Sequence, residues 1–322
     1  MTFARSALVR LAKLLAVIFA VSFLTFMLTK LLPGSPVDVI LGPEAGNDEA
    51  RAAVEERLGL DEPVFQQYLS YIHGVIFEQD LGKSYSQDIP TTTYLAQRLP
   101  ATLELMILAQ LISLVISVPL ALFSAYRANS RADKMVTAGA FGLISLPSFA
   151  MAVFLVYLFA IQLGWFPAVG YDRITGPGGL TANLKSIVLP VAVLCAGLTA
   201  VYTRLLRSDL IATLQEDFVL MARSKGLPTW HILLRHALRP SSFSLLTVFA
   251  INFGTLIGGS VIVETFFVIP GVGELAVRSI LTREYLVVQG VVLVIATAFV
   301  LVNFIADLLY SVLDPRVRRA GA

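Results

Sequence analysis

The chain has 322 residues, of which 57% are hydrophobic and only 14% are charged, and its mean hydropathy is +0.78. Soluble domains carry about 25% charged residues, so this composition excludes an ordinary soluble protein and predicts an all-α, polytopic membrane protein. The formal net charge of +2 gives no reason to expect nucleic acid as a partner. A single cysteine, Cys195, excludes an internal disulfide.

Apolar segments of about 20 residues, the length that crosses roughly 30 Å of hydrocarbon, recur along the chain. They predict about six transmembrane helices: Leu11–Leu32, Ala101–Tyr126, Met135–Leu163, Ile187–Leu206, Phe243–Val263 and Leu286–Leu313. The first follows basic residues as a signal peptide does, but it is too long for one and lacks a small-residue cleavage site. We therefore interpret 1–32 as a cytoplasmic N-terminus with the first membrane helix, and 101–313 as a five-helix core.

The basic residues determine the predicted orientation. Fifteen of the 24 Lys and Arg residues fall on one side of the predicted spans and nine on the other. Cytoplasmic segments carry an excess of these residues. Both termini, including the tail 314–322, are therefore predicted to be cytoplasmic, which agrees with an even number of spans.

The long polar segment 33–100 is predicted to be extracytoplasmic. Asp61, Glu62 and Pro63 form a helix-start signature. Apolar residues then recur at helical spacing: Val64, Tyr68, Tyr71, Ile72 and Val75. We expect a small helical segment here, which either rests as a cap on the membrane helices or forms a docking surface for an external partner.

The sequence lacks the motifs of an enzyme. Gly82-Lys83-Ser84 resembles the end of a P-loop, but Phe77 stands where that motif requires its first glycine. Ser260 follows two glycines, yet no predicted span holds a histidine that could activate it as a nucleophile. The run from Gly254 to Ser260 fits close helix packing instead. We therefore predict a non-catalytic chain without cofactor-binding or metal-binding residues.

The most informative stretch is the loop 207–240, between the fourth and fifth predicted spans. Acidic residues open a short helical pattern and basic residues close it, an arrangement that suits the helix dipole. These residues are Glu216 and Asp217, then apolar Phe218, Val219, Met221 and Ala222, then Arg223 and Lys225. Gly226 is placed to end the helix in the left-handed conformation, and Pro228 prevents its continuation. From spacing alone, such a helix could enter a groove on a partner or lie on the membrane surface.

This loop resembles the signature loop of permeases of ATP-binding-cassette (ABC) importers, and in particular that of the dipeptide/oligopeptide branch. The branch carries Ala-Arg-x-Lys-Gly-Leu followed by His-Ala-Leu-Arg, which match Ala222–Leu227 and His236–Arg239. The resemblance covers nearly the whole chain, through Leu31–Pro36, Leu58–Pro63, Asp80–Ser84, Arg98–Glu104, Glu264–Gly273 and Asp314–Arg316. The long segment after the first helix resembles that of the first of two paired permeases.

The resemblance implies a multi-pass permease of the bacterial cytoplasmic membrane that forms half of a pathway for dipeptides or oligopeptides. Its implied partners are a second homologous permease, two ATP-binding subunits that bind ATP and Mg, and an extracytoplasmic peptide-binding protein. The residues implied in coupling to the ATPase are Glu216, Asp217, Met221, Ala222, Arg223, Lys225, Gly226 and Leu227. Nickel complexes, glutathione or haem stay open as cargo, and a self-sufficient secondary transporter stays open as an alternative.

Polar residues within the predicted spans are the candidates for cargo contact or gating, because a charge facing lipid costs about 2.5–3.5 kcal/mol. They are Gln110, Asn252, Thr255, Glu264 and Asn303. Each could instead form a hydrogen bond between helices. Glu264 is the preferred gate residue, because it precedes a predicted helix break at Ile269-Pro270-Gly271.

Overall fold

The structure is a computed structural model. It describes the backbone of residues 3–31, 35–44, 46–57 and 59–313, and the side chains of residues 12–30, 35–43, 46–56 and 59–305. The predicted cytoplasmic tail, 314–322, and the predicted end of the first span at Leu32 lie outside these ranges.

Within the described backbone the regular elements are helical, and Lys83 and Pro90 form an isolated antiparallel bridge. The helices are α1 Phe3–Leu31, α2 Pro36–Leu41, α3 Asp48–Arg57, α4 Val64–His73, α5 Thr91–Tyr126, α6 Arg131–Ser145, α7 Ser148–Leu155, α8 Gly179–Thr213, α9 Asp217–Ser224, α10 Thr229–His231, α11 Leu238–Phe267, α12 Val272–Leu281 and α13 Tyr285–Leu313. Segments of π-helix extend α4 over Gly74–Glu78, extend α7 over Val156–Gln162, and join α10 to α11 over Ile232–Ala237.

Five helices in the described ranges are long and apolar enough to cross a membrane, and a bent pair makes a sixth span if it counts as one. This confirms the prediction of about six. Several helices extend beyond the predicted spans: α5 begins at Thr91 and α8 begins at Gly179. Hydropathy detects the part of a helix that lies in hydrocarbon, whereas backbone hydrogen bonding continues into more polar sequence.

The third predicted span, Met135–Leu163, is not one helix, and the prediction of a single helix there is wrong. α6 and α7 are separated by a break at Leu146 and Pro147 and are bent by 103°. Proline has no amide hydrogen and disfavours the helical conformation in the residue before it. Leu146 is accordingly extended, at φ −86° and ψ 121°. Membrane helices often tolerate proline, which is why the sequence alone suggested continuity.

The chain divides into two compact units. The first comprises residues 1–100 and 270–301. Its hydrophobic core lies where α5, α12 and α13 meet, with Leu81 of the preceding loop packed against it. The buried residues are Leu95, Val272, Leu275, Val287 and Val291.

A buried carboxylate fixes the loop before α5 in this unit. Glu284 accepts hydrogen bonds from the Ser84 hydroxyl at 3.0 Å and from the amides of Tyr85 and Ser86 at 2.6 and 3.1 Å. These bonds compensate the cost of burying its charge. They also hold together segments that lie about 200 residues apart in the sequence.

Gly290 of α13 permits a close contact with the segment before α5. A Cβ atom at Gly290 would lie 2.7 Å from Thr91 Cγ2 and 3.2 Å from both the Cβ and the carbonyl oxygen of Leu81. We expect Gly290→Ala to destabilise the fold by about 1–3 kcal/mol, the usual cost of overpacking a core. Thermal unfolding of the solubilised protein measures this effect. Gly258→Ala is the control, because a Cβ there meets nothing within 4 Å; equal melting of the two variants would contradict the prediction.

The second unit comprises residues 101–269 and the described part of the chain from residue 302 onward. α8 is its central helix and packs against α6, α7 and α11. Its buried residues include Tyr202, Leu206 and Leu210.

An ion pair joins α6 to α8 in this unit. Arg207 donates from Nε and Nη2 to the two carboxylate oxygens of Asp133, both at 2.6 Å. Asp133 is buried and also accepts from the Ser124 hydroxyl and from the Asn129 amide. The bidentate, charge-assisted geometry makes this a strong contact.

Gly258 and Gly259 of α11 do not pack closely against other parts of the described chain, whereas Gly254 and Ser260 are buried. A Cβ atom on Gly258 or Gly259 would meet nothing within 4 Å. The predicted close packing of Gly254–Ser260 is therefore wrong for Gly258 and Gly259 within the described chain and agrees with the burial of Gly254 and Ser260. Motif spacing identifies a smooth helix face, but it does not tell which surface covers that face.

Candidate functional site: the loop helix and the polar residues of the spans

The short helix predicted in the loop is present as α9, Asp217–Ser224. Its N-cap residue, Glu216, is extended at φ −70° and ψ 149° and makes no side-chain capping bond. Asp217 lies in the first turn and Arg223 in the last, so both charges are favourable to the helix dipole.

The C-terminal end of α9 is closed by a Schellman motif. Gly226 is left-handed at φ +76°, as predicted. Its amide donates to the Arg223 carbonyl at 2.9 Å, and the Leu227 amide donates to the Ala222 carbonyl at 3.4 Å. These two bonds satisfy carbonyl groups that a helix end otherwise leaves unpaired.

One face of α9 is anchored to the rest of the loop. Val219 and Ala222 are buried against Ile232 of the following π-helical segment, with Leu214 and Leu227 packed around them. Ala222 therefore occupies a position where a larger or charged side chain would not fit without displacing α9.

The other face of α9 is apolar and exposed. Phe218, Leu220 and Met221 are 45%, 52% and 60% exposed. The charged residues predicted for coupling surround them and are also exposed: Glu216, Asp217, Arg223 and Lys225. An apolar helix face bordered by charges is one that a groove on a partner protein can bind.

The two helices that flank α9, α8 and α11, are joined to each other by a hydrogen bond between their side chains. The hydroxyl of Thr213, the last residue of α8, lies 2.9 Å from the hydroxyl of Ser241 in α11. Because α10 continues through the π-helical segment into α11, one helical rod runs from Thr229 to Phe267. A displacement of α9 would therefore act on α8 and on this rod.

Gln110 is buried and bridges three helices. Its Nε2 donates to the Phe249 carbonyl at 3.2 Å, and its Oε1 accepts from the Tyr202 hydroxyl at 2.6 Å. These bonds join α5 to α11 and α8, so the side chain serves helix packing. Tyr202 was missed by the sequence analysis, because a tyrosine in an apolar run gives no separate signal.

Glu264 is buried at the end of α11 and ties that end to α5. It accepts a hydrogen bond from the Thr102 hydroxyl at 2.8 Å. Its carbonyl accepts from the Ile269 amide at 2.8 Å, and Val268 is left-handed at φ 56°. The predicted helix break is thus present directly after Phe267.

The remaining predicted polar residues are less enclosed. Asn252 is half-buried, and its Nδ2 makes no hydrogen bond in the structure. Thr255, one turn later on α11, is exposed and donates to the Asn252 carbonyl at 3.1 Å. Asn303 is half-buried in α13. Among the five predicted residues, Thr255 is the one that the structure shows as exposed, whereas the Asn252 amide nitrogen is buried.

The sequence matches two family models that together cover most of the chain. Residues 4–106 match the N-terminal part of the binding-protein-dependent transport system membrane component. Residues 117–319 match the binding-protein-dependent transport system inner membrane component.

Curated relatives are similar over nearly their whole length. A peptide transport system permease protein of Brucella abortus is 38% identical over 310 residues, 96% of this chain and 97% of the relative. A di/tripeptide transport system permease protein of Pseudomonas aeruginosa is 36% identical over 327 residues, with the same coverage. A glutathione transport system permease protein of Shigella flexneri is 33% identical over 309 residues, again with the same coverage.

The fold is also similar to that of a solved transporter. The structure matches a chain of the MetNI methionine ABC transporter in inward-facing conformations, with a TM-score of 0.57 and 15% sequence identity. The match covers 69% of this chain and 96% of that one. At this identity the likeness establishes the fold. Together with the family matches it shows that the chain belongs to the binding-protein-dependent transport system inner membrane components, the polytopic permease subunits of ABC transporters.

Proposed function

We propose that this permease subunit imports short peptides and that ATP hydrolysis in partner subunits drives it through α9. The relatives named above transport peptides, di- or tripeptides, or glutathione, which is itself built from three amino acids. A peptide-like cargo is the class they share. The observation that carries the coupling proposal is the geometry of α9: a capped helix, anchored on one side and apolar and exposed on the other.

In this proposal both termini and α9 lie on the cytoplasmic side. The exposed side chains of Phe218, Leu220 and Met221 enter a groove on an ATP-binding subunit. Arg223 and Lys225 meet acidic groups at its rim. When the two ATP-binding subunits close and reopen, α9 moves with them and displaces α8 and the Thr229–Phe267 rod. ATP and Mg are held by those partners.

A second homologous permease completes the pathway, and an extracytoplasmic peptide-binding protein delivers the cargo. Peptides carry backbone donors and acceptors, so the pathway needs polar side chains that are accessible. Thr255 meets that requirement on α11, and Asn252, one turn away, is a candidate only if movement of the helices uncovers its amide nitrogen. Asn303 is the further candidate on α13. Gln110 and Glu264 set the positions of the helices through their hydrogen bonds.

Uptake of a radiolabelled tripeptide into proteoliposomes tests the proposal. The vesicles contain the chain with its co-expressed partner subunits, and purified binding protein is added outside. We expect accumulation only with ATP, competition by unlabelled peptides, and weaker competition by nickel complexes or haem.

Met221→Glu should abolish both uptake and peptide-stimulated ATP hydrolysis, because it places a charge on the apolar docking face. Met221→Leu, which keeps an apolar side chain of similar size, should transport normally.

Two results would count against the proposal. If the chain without partners accumulated peptide under an ion gradient, it would be a self-sufficient secondary transporter. If Met221→Glu transported as well as Met221→Leu, α9 would not be the site of coupling.

A further inference from the structure

A tyrosine of α4 is inserted among the aromatic side chains of α1, within the first unit. The ring centroid of Tyr68 lies 6.0, 5.2 and 5.4 Å from those of Phe19, Phe23 and Phe26. Its hydroxyl lies 2.8 Å from Ser22 Oγ, and the side chain is buried. α4 is therefore packed directly onto the surface of α1.

The point of contact lies inside the membrane span. The apolar span of α1 covers Ala12–Lys30. Ser22 precedes Lys30 by eight residues, which is about 12 Å along a helix that rises 1.5 Å per residue. The hydrocarbon layer is roughly 30 Å thick, so this position falls in one half of it. A side chain that contacts Ser22 cannot belong to a domain standing clear of the bilayer.

Two further contacts join α4 to the end of the α1 span. The Lys30 amino group donates to Gln67 Oε1, and the Phe26 ring stacks on Tyr71 at 6.2 Å. Together with the contacts of Tyr68, they show that α4 touches α1 between Phe19 and Lys30.

Next to this contact, α4 presents an apolar face that the described chain does not cover. Phe65 and Leu69 are four residues apart and Ile76 follows seven residues later, so all three lie on one helix face. They are 68%, 50% and 64% exposed. Removing apolar surface from water contributes about 25 cal/mol of stability for each Å², and these side chains would lose that contribution if they faced water.

We propose that Val64–Glu78 is an interfacial amphipathic segment whose face formed by Phe65, Leu69 and Ile76 inserts among phospholipid acyl chains. The leaflet is the one at the C-terminal end of the α1 span. Polar Gln66 and the exposed pair His73 and Glu78, whose Nδ1 and Oε1 lie 3.6 Å apart, stay at the level of the headgroups. An apolar face bordered by a polar face is the pattern of helices that lie in a membrane interface.

Lipid is the occupant that the surroundings favour. The apolar face belongs to a helix that packs on a membrane span through Tyr68 and Ser22. Its three side chains offer no charge and no hydrogen bond to a protein partner. The inference does not depend on which cargo the permease carries, so it can fail while the proposed function stands.

Spin-label accessibility in the full chain tests the inference. In a Cys195→Ser background, Phe65→Cys, Leu69→Cys and Ile76→Cys each carry a nitroxide, and the protein is reconstituted in phosphatidylethanolamine–phosphatidylglycerol vesicles with its partner subunits. Collisions with molecular oxygen report acyl chains, and collisions with a water-soluble nickel chelate report water. Gln66→Cys is the matched control, because its side chain projects about 100° around the same helix.

We expect the ratio of oxygen to nickel collisions to be severalfold higher at the three apolar positions than at Gln66→Cys. A nickel-dominated signal at all three would show an aqueous surface and overturn the inference. Shielding from both reagents would show that a protein covers this face and would overturn it as well.

Discussion

Gly226→Pro is expected to lower ATP-driven uptake by more than about tenfold while the assembled complex is still recovered in normal amount. Proline cannot adopt the φ of +76° found at this position, and it has no amide to donate to the Arg223 carbonyl. A misplaced proline costs about 3 kcal/mol, which shifts the balance between ordered and unravelled α9 roughly a hundredfold. Uptake and peptide-stimulated ATP hydrolysis in proteoliposomes are the measurements.

Gly226→Asn provides the matched control. Asparagine enters the left-handed region more readily than other side chains and retains the amide. This variant should therefore transport at close to the normal rate. Equal uptake by the proline and asparagine variants would mean that the Schellman motif at Gly226 has no part in coupling.

Arg207→Ala is expected to destabilise the second unit by about 3–5 kcal/mol, the usual effect of removing one partner of a buried ion pair. The variant leaves the buried Asp133 carboxylate with only the Ser124 hydroxyl and the Asn129 amide as its described partners. Thermal unfolding of the solubilised protein, followed by loss of the monodisperse elution peak, measures the change.

Arg204→Ala is the control on the same helix. Arg204 is exposed and lies over the Phe141 ring at 5.5 Å, a contact worth about 0.5–1 kcal/mol at an exposed site. The double variant Asp133→Leu with Arg207→Leu should recover much of the lost stability, since it leaves no buried charge unpaired. If Arg207→Ala melted no earlier than Arg204→Ala, the ion pair would be unimportant for the fold.

The features of α9 could be predicted because their signals are local. Asp217 at the start, Arg223 at the end and the left-handed Gly226 all act within one or two turns of the backbone. The beginning of α4 after Pro63 was predictable for the same reason, and α4 does begin at Val64. The spans were predictable because hydrocarbon thickness dictates their length.

Contacts between distant segments could not be predicted. Nothing near Glu284 in the sequence points to Ser84, and nothing near Asp133 points to Arg207 rather than to another of the many basic residues. The bend at Pro147 depends on whether neighbouring helices satisfy the freed carbonyls, which one sequence does not reveal. For the same reason the polar residues of the spans looked alike, although Gln110 and Glu264 are bonded across helices and Thr255 is exposed.

The unbroken helical rod from Thr229 to Phe267 has a mechanical consequence. Its 39 residues extend about 58 Å, nearly twice the thickness of the hydrocarbon layer. One end carries Ile232, against which α9 is anchored, and the other carries Glu264, bonded to Thr102. Tilting such a rod by about 10° around its midpoint moves the two ends roughly 5 Å in opposite directions. In the proposed mechanism, one tilt of this rod would open the pathway at one membrane surface and close it at the other.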